Sequence, residues 1–384
     1  MPLTGFTTNM KIEEILKPYK YFSVARHEDN QDLLNFFSTM TMDTNSFSLR
    51  YDRGTDFFKF TNNQAEKFII FIIKDESGLI KGCASIAFIP HILNGKKVLC
   101  AYLGDLRISA LLSAKIRITW KKCYSEIIQH FSKIEEFFGV HFLYSAILEE
   151  NQNAMRSLLK NNDQIIYHLL SHYTTFNVIK PMPSAYFNSN RFTITKADII
   201  TIKKFLIANN QDIGLENDFE SEIKRRITSW DDFNEQSFSV VKDHEEIVAV
   251  FAPWTSPAKK LVIEKMSPFQ KVMSFFFPLL GLNPLKEKKP INVLYLTHLV
   301  FSSQRSSKDI KKIMNAILLS LFSERKDFHV ISFFTYPEWE IDSLPFFMEK
   351  TKANFYQVMS KKQFEENDFI DLKNNPPAFE IGIA

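Results

Sequence analysis

The order of predicted secondary-structure elements repeats once along the chain, and this repeat constrains the fold more than any other feature. Each half reads as a strand, a helix, three strands, a long helix, a strand, a short helix and a strand, although the short second helix and last strand are less distinct in the second half. The first strand and the following hairpin turn are 53 residues apart in the first half (22 to 75) and 51 in the second (192 to 243). The long helix and the next strand are 20 and 18 residues apart. We therefore predict two similar α/β halves.

The predicted elements follow from apolar spacing and turn residues. In the first half they are strands at 21–25, 67–73, 79–90, 98–108, 141–148 and 173–179, with helices at 30–39, 119–138 and 151–160. In the second half they are strands at 191–195, 237–241, 246–253, 291–302 and 328–336, with helices at 198–208, 308–322 and 340–350. The proline-containing stretch Pro181–Pro183 predicts the boundary. The sequence thus predicts domains at 1–183 and 184–384.

One segment breaks the repeat. The hairpin turn and the long helix are 46 residues apart in the first half and 67 in the second, which places an insertion at about 258–290. Between Lys259 and Lys289 there are seven Lys and two Glu around an apolar run, Phe269–Leu282, which is shorter than the roughly 20 residues of a spanning helix. The run predicts either a half-buried loop-helix or a peripheral contact with a membrane surface or a protein through 259–289. It predicts no transmembrane span.

Composition excludes several classes of protein. The chain has only 10 Gly in 384 residues, so glycine-rich phosphate loops of the Walker or Rossmann type are not expected. A net charge of +3 without a clustered basic stripe argues against nucleic acid as a partner. Three Cys without a Cys-x-x-Cys pair, and a start without a continuous apolar stretch, predict a reducing, cytoplasmic location. The nine His show no metal-ligand spacing, so we expect no metal site.

Three sequence stretches carry a resemblance to a known superfamily. They are Y-L-G-D-L-R-I at Tyr102–Ile108, R-Y-D-R-G-T-D-F-F at Arg50–Phe58 and E-E-N-Q-N-A-M-R-S-L-L at Glu149–Leu159. Together with the element order they resemble the acyl-CoA N-acyltransferases, also called GCN5-related N-acetyltransferases (GNAT), as a tandem pair. The resemblance covers nearly the whole chain. It implies an α/β (α+β) fold of two tandem GNAT-like domains, each a mixed, mostly antiparallel sheet flanked by helices.

The resemblance also implies a function and a site. A GNAT-like protein transfers an acyl group from acetyl-CoA or another acyl-CoA to an amine, here an unknown acceptor, and the first domain is the better candidate. Asp105 is the nearest candidate for a catalytic base on the fourth strand; a structural salt bridge is the alternative. The candidate cofactor-binding residues lie around the next helix start and after the fifth strand: Arg107, Ile108, Ser113, Ala114, Lys115, Ile116, Arg117, Ile118, Asn151 and Asn153. For the two Asn, a plain helix cap is an equal alternative.

The chain departs from the superfamily pattern at the phosphate loop, which is R/Q-x-x-G-x-G/A. The matching registers, Ser113–Ile118 and Arg305–Ile310, lack both glycines, and Leu158 stands where relatives often have a Tyr. His298 lies on the fourth strand of the second half, where it either titrates near neutral pH or is a hydrogen-bonded sheet histidine. The alternative function is therefore a catalytically degenerate GNAT-like protein that binds a ligand or a protein, with a membrane surface as one place for this binding.

Overall fold

The computed structural model describes residues 10–43, 47–160, 164–188, 191–210, 214–280, 282–325, 327–335, 339, 341–372 and 377–378. The strands are β1 (Phe22–Val24), β2 (Thr41–Asp43), β3 (Phe47–Asp52), β4 (Lys67–Lys74), β5 (Ile80–Leu93), β6 (Lys96–Ile108), β7 (Val140–Leu148), β8 (Ile165–Pro181), β9 (Phe192–Thr195), β10 (Leu215–Asn217), β11 (Ser239–Asp243), β12 (Glu246–Trp254), β13 (Lys260–Met266), β14 (Pro290–Ile291), β15 (Val293–Phe301), β16 (Val330–Thr335) and β17 (Phe346–Ser360). The helices are α1 (Ile12–Leu16), α2 (Asn30–Ser38), α3 (Phe58–Gln64), α4 (Ala114–His130), α5 (Gln152–Ala154), α6 (Ile199–Ala208), α7 (Phe219–Ser229), α8 (Pro268–Phe276), α9 (Ser307–Glu324) and α10 (Lys361–Glu365).

One large sheet passes through both halves. Its strand order is β1-β4-β5-β6-β7-β17-β8-β16-β15-β12-β11-β9, and β10 adds to β5. Neighbouring strands are antiparallel except for β6 with β7 and β15 with β16, which are parallel. The predicted mixed, mostly antiparallel sheets with flanking helices are confirmed.

The last strand of each half lies in the other half's part of the sheet. Strand β17, from the end of the second half, pairs with β7 and β8 of the first. Strand β8, the last of the first half, pairs with β16 of the second. The two halves therefore share a sheet whose centre is built from exchanged strands, and neither half contains all of its own core.

Helices cover both faces of the sheet in the same way in each half. In the first half α1 and α4 pack on one face, where the core contains Trp120 and Leu103. On the other face α2 and α3 pack around Phe37 and Cys83. In the second half α9 takes the place of α4, and α6 with α7 take the place of α2 and α3. The long helices form because their apolar residues recur at helical spacing and bury one stripe against the sheet.

The segment that the sequence predicts as an insertion lies between β12 and β15 of the second half, and one of its strands pairs with the first half. Strand β13 pairs with β3 of the first half in a small sheet of order β14-β13-β3-β2. Helix α8 follows β13, with a Ser267 cap and Pro268 in its first turn. Several of its apolar side chains are exposed: Phe269, Val272, Phe275 and Phe276, with Leu279 just beyond. The apolar run thus falls largely on α8 and the 3-10 turn Phe277–Leu280, with several side chains exposed, and the part of the segment before it contributes strand β13 to the small sheet.

Three predicted elements differ from the structure. The predicted helix at 340–350 is wrong: residues 341–343 form a short 3-10 turn, and Phe346–Ser360 is strand β17, whose inner half is buried against β7 and β8. The predicted helix at 119–138 begins earlier and ends at His130, followed by two 3-10 turns. The helix predicted at 151–160 is a short helical turn continued by a π-helix, Met155–Lys160. Tertiary strand pairing overrides local helical pattern in the first case.

Candidate acyl-CoA site

A bulge occurs at the same place in the central strand of each half. Asp105 on β6 and His298 on β15 both have a backbone φ of 51°, in the left-handed region that few non-glycine residues adopt. In each half the strand pairing shifts there by one residue, between Cys83 and Ser85 on β5 and between Val250 and Ala252 on β12. The surrounding sequences, Tyr-Leu-Gly-Asp-Leu and Tyr-Leu-Thr-His-Leu, begin at 102 and 295. The two bulges are equivalent positions of the repeat.

Beside each bulge the central parallel strands separate. Strands β6 and β7 pair only as far as Tyr102 and Tyr144, and β15 and β16 only as far as Tyr295 and Ser332. In the first half the Ser145 hydroxyl still donates to the carbonyl of Leu103 (2.9 Å), and beyond it the strands carry no cross-strand pair within the described residues. Two strand edges with unpaired backbone groups therefore face each other, which is the arrangement to which an extended ligand can add by backbone hydrogen bonds.

The bulge also moves Arg107 to the other face of the sheet. Ala101 and Leu103 face α4, and strict alternation would send Arg107 to that face too. The extra residue at the bulge reverses the alternation, so the guanidinium of Arg107 lies over the rings of Phe37 and Tyr51 (4.8 and 4.9 Å to the centroids). Arg107 is therefore separated by the sheet from the core that α4 covers. Ile108 is half-buried at the end of β6 and packs against that core.

The loop between β6 and α4 is held by the side chain of Arg117. Its guanidinium donates to the carbonyl oxygens of Leu112 (2.8 Å) and Ala110 (2.5 Å). Lys115, Arg117 and Ile118 are exposed, whereas Ile116 is buried against the sheet. Arg117 thus fixes the backbone of this glycine-free loop from outside.

The start of α4 keeps its backbone N–H groups available. Ser113 is the N-cap residue, but its side chain caps no N–H; instead its hydroxyl donates to Glu76 (3.0 Å). The first turn, which includes the exposed Ala114 and Lys115, therefore presents N–H groups and the positive end of the helix dipole to the surface. An anionic group can bind there, although Glu76 adds a negative charge nearby.

The corresponding start in the second half is closed. Ser306 caps α9 by accepting from the N–H of Asp309, whose carboxylate also accepts from the Ser306 hydroxyl (2.9 Å). Arg305, the residue that matches the superfamily's first loop position, donates to Asp243 (3.0 Å) and Glu246 (2.5 Å) on the hairpin. An anion at this helix start would be repelled by the carboxylates of Asp309, Asp243 and Glu246. The two halves therefore differ in whether the start of the long helix can accept an anionic group.

Asp105 is joined to a buried arginine. Nη2 of Arg53 donates to Oδ1 of Asp105 (2.5 Å), and the Arg53 side chain is only 2% exposed. Its guanidinium lies 3.7 Å from the ring centroid of Phe60. Arg53 is therefore the partner in the structural salt bridge that was the alternative role for Asp105. Asp105 also lies beside the separated strands, so its place is compatible with contact to a substrate.

A lysine from the insertion completes this cluster. Lys259 lies over the rings of Phe60 and Tyr295 (5.6 and 5.7 Å), so both halves contribute to one site. Burial, together with the positive charges of Arg53 and Arg107, lowers the pKa of Lys259 from 10.5 to about 7. Near neutral pH this amine is therefore only partly protonated.

His298 occupies the equivalent bulge, and its side chain is buried. Arg226 donates to its Nε2 (3.0 Å), its Nδ1 is 2.9 Å from the Thr297 hydroxyl, and that hydroxyl donates to the carbonyl of Ala252. This chain leaves the proton on Nδ1. Burial, and then Arg226, hold the pKa of His298 well below its usual range. The expectation that His298 titrates near neutral pH is therefore wrong, and the sheet-histidine alternative describes it.

The two predicted Asn residues lie at the surface after β7. Asn151 accepts from the N–H of Ala154 (3.1 Å), which is the helix-cap alternative, and Asn153 is exposed. The hydroxyls of Tyr124 and Tyr167 hydrogen-bond to each other (2.7 Å), and Tyr173 donates to the carbonyl of Pro377 (2.8 Å). The hydroxyls of Tyr167 and Tyr173 therefore each have a hydrogen-bond partner within the protein.

Sequence reasoning missed Arg53 and Lys259 as site residues. Arg53 lies within the stretch that carries the superfamily resemblance, and Lys259 was counted only among the insertion's charges. The signal for their convergence is the pairing of β3 with β13, which a single sequence does not reveal. The repeated Tyr-Leu-x-x-Leu sequence was visible and could have aligned Asp105 with His298.

Within the part of the chain that the structure describes, no group of three or more His, Cys, Asp or Glu is placed to hold a metal ion. In the same residues, no helix has the length and apolar character to cross a membrane.

The structure resembles known acyltransferases. Two structures of Saccharomyces cerevisiae N-myristoyltransferase with bound myristoyl-CoA match it with TM-scores of 0.56 and 0.58 and identities of 11% and 13%; the second also holds inhibitors. These matches cover 88% and 91% of this chain and 82% and 84% of the other. A GCN5-related glucosamine N-acetyltransferase region of a fungal multi-domain β-N-acetylglucosaminidase matches with a TM-score of 0.55 and 9% identity, over 87% of this chain and 38% of the other.

No family model and no curated protein matches the sequence. At such low identities the structural matches establish the fold alone. The duplicated order of elements, the bulged central strands and these neighbours together show that the chain has the GNAT fold of acyl-CoA N-acyltransferases, with two GNAT-like halves.

Proposed function

We propose that the protein is an acyl-CoA-dependent N-acyltransferase that uses its first half. The observation that carries this proposal is the gap between β6 and β7, which opens beside Asp105 and next to the uncapped start of α4. The neighbours with bound myristoyl-CoA support an acyl-CoA ligand in general; acetyl-CoA and longer acyl-CoAs are both candidates.

In this proposal the parts of acyl-CoA bind to different elements. The pyrophosphate binds at the first turn of α4, where N–H groups and Lys115 meet it. The pantetheine arm adds to the open edges of β6 and β7, and the thioester lies near the bulge at Asp105. Since Arg107 lies on the other face of the sheet, it contacts the acceptor side of the site rather than the pyrophosphate.

The reaction is a direct transfer. The acceptor's neutral amine attacks the thioester carbonyl, the new C–N bond forms, and the C–S bond breaks to release CoA. The amine proton passes to Asp105, directly or through water, and then to the leaving thiolate. Backbone N–H groups at the separated strand edges stabilise the oxyanion.

Calorimetry with acetyl-CoA and longer acyl-CoAs tests the proposal. We expect saturable binding to the wild-type protein. Lys115→Glu should weaken binding about tenfold or more, because it places a negative charge beside the phosphates. Lys122→Glu is the matched control: Lys122 is also exposed on α4, two turns farther on, and this variant should bind within about threefold of wild type.

Absence of binding by every acyl-CoA at millimolar concentration would overturn the proposal. Equal losses in Lys115→Glu and Lys122→Glu would show that the pyrophosphate does not bind at the first turn of α4. For the base, Asp105→Asn should retain acyl-CoA binding and lose about 10²-fold or more in kcat; unchanged kcat would remove Asp105 from the mechanism.

A second candidate function, contact with an anionic membrane surface by a non-catalytic protein, is favoured by helix α8. Phe269, Phe275 and Leu279 are 68%, 78% and 82% exposed, and the flanking segment carries the excess of Lys. Co-sedimentation with vesicles of phosphatidylcholine and phosphatidylserine tests it, with Phe275→Ser as the variant. Equal recovery with and without the anionic lipid would rule this function out.

A further inference from the structure

Three cationic side chains meet one carboxylate on the face of the sheet that α2 and β3 cover. Arg53 pairs with Asp105, Arg107 is close enough to Arg53 for their charges to interact, and Lys259 is close enough to all three. Both guanidinium groups lie over the ring of Tyr51, from β3 (5.7 Å for Arg53 and 4.9 Å for Arg107 to the ring centroid). The described residues of this cluster therefore carry more positive than negative charge in a largely buried place.

Arg107 is held in place by rings, not by hydrogen bonds. Its guanidinium lies over Phe37 and Tyr51, and its Nε is buried with no hydrogen-bond partner among the residues described. Stacking on aromatic rings fixes the plane of a guanidinium and leaves its N–H edge for a ligand. The equivalent residue of the second half is Val300, which is buried in an apolar core, so the fold itself does not require a cation here.

Arg53 is incompletely satisfied in the same region. The residue is 4% exposed, and its Nε also has no hydrogen-bond partner within the described chain, although Nη2 binds Asp105. A buried donor without a partner costs about 1 to 3 kcal/mol. Two such donors on neighbouring arginines indicate a site that an acceptor of hydrogen bonds completes.

A cavity reaches one member of this cluster, Arg53. A cavity of about 300 Å³ lies between α2 and the end of β3, and Phe37, Tyr51 and Arg53 are among its walls. This volume is at the lower end of the range for small-molecule sites. It admits a ligand the size of an amino acid.

We propose that Arg53, Arg107 and Lys259 bind a carboxylate group of the acceptor, so that the acceptor is an amino acid or a similar small amine with a carboxylate. Calling this ligand the acceptor rests on the proposed function; the carboxylate site itself does not. A carboxylate matches the planar N–H edge of a stacked guanidinium. A phosphate dianion would meet stronger repulsion from Asp105.

Calorimetry on the protein without acyl-CoA tests the site. The probes are L-alanine, L-leucine, L-phenylalanine and L-glutamate, each paired with its α-carboxamide, and inorganic phosphate. We expect at least one amino acid to bind at least tenfold more tightly than its carboxamide and than phosphate. Equal binding within every pair, no binding by any amino acid at its solubility limit, or tighter binding of phosphate would each overturn the proposal.

Variants locate the site. Arg107→Met keeps an unbranched side chain between the two rings and removes the charge, so it should weaken amino-acid binding at least tenfold. Lys260→Met is the matched control, because Lys260 is exposed beside Lys259; its binding should equal that of wild type. Unchanged binding in Arg107→Met, or an equal loss in Lys260→Met, would contradict the assignment.

Proton uptake gives a readout that does not depend on activity. A bound carboxylate favours the charged form of Lys259, whose pKa of about 7 is set by burial, Arg53, Arg107 and the opposing charge of Asp105. Near pH 7 binding should therefore take up protons, measured as a dependence of the heat on the buffer's ionisation enthalpy, and Lys259→Met should abolish it. Carboxylate binding without proton uptake would remove Lys259 from the site. If amino acids bind but no acyl-CoA does, only the transferase proposal fails.

Discussion

Removing the carboxylate of Asp105 should destabilise the protein by more than the loss of a surface ion pair does. Asp105 is 13% exposed and Arg53 is 2% exposed, with their N and O atoms 2.5 Å apart. Truncating one partner of a buried pair costs about 3 to 5 kcal/mol, because the other charge stays buried and unpaired. Since Asp105 retains some exposure, we expect about 3 kcal/mol for Asp105→Ala.

The assay is urea denaturation at pH 7, followed by circular dichroism. Glu365→Ala is the control: Glu365 lies 3.8 Å from Lys361, and both side chains are more than 60% exposed, so its removal should cost no more than about 0.5 kcal/mol. The double variant Arg53→Met, Asp105→Ala should recover part of the loss, because the charge of Arg53 is then no longer buried without its partner. A loss in Asp105→Ala below about 1 kcal/mol, or equal to that of Glu365→Ala, would refute the buried pair as the reason for Asp105's position.

Three further expectations concern stability and the shared sheet. A chain that ends at residue 345 lacks β17, which pairs with β7 and β8, so it should lose native near-ultraviolet circular dichroism in both halves; a native spectrum would contradict the strand exchange. Burial lowers the pKa of His91 to about 4, so the unfolded chain binds more protons there; stability should be intact above about pH 6.5 and fall towards pH 4 by about 3 kcal/mol. In denaturation curves His91→Gln should flatten this dependence, and an unchanged slope would refute it. Thr297→Val should remove the hydroxyl oxygen that accepts from the Nδ1–H of His298, and so lower the urea midpoint. Thr201→Val, at the start of α6, should lower the midpoint less.

The architecture was predictable because both halves carry the same pattern. Alternating and helical periodicities located the strands and long helices of each half, and the hairpin turns predicted at 75 and 243 lie between paired strands. The predicted helix at 340–350 was wrong because residues 346–350 begin the long strand β17 and pair with β8. Sequence spacing carries no information about which distant strand supplies the partner.

The site was predictable only in part. The superfamily resemblance led to the end of β6 and the start of α4, where Asp105 and Lys115 lie. Arg107, which the resemblance placed among the cofactor-binding candidates, lies on the face opposite α4, because the bulge reverses the alternation of side chains. Arg53 and Lys259 are far apart in the chain and meet only through the pairing of β3 with β13. Both candidate acyl-CoA loops lack their glycines, so the sequence did not distinguish them. In the structure, side-chain hydrogen bonds close the start of α9, whereas the N–H groups at the start of α4 stay available.

The central claim is that acyl-CoA binds to the first half and not to the equivalent place in the second. Hydrogen exchange with and without the tightest-binding acyl-CoA tests it directly, because both places are read in one experiment. We predict slower amide exchange at 103–118 and 145–151, and unchanged exchange at 296–312. Protection confined to 296–312, or no protection of either region under saturating ligand, would contradict the account.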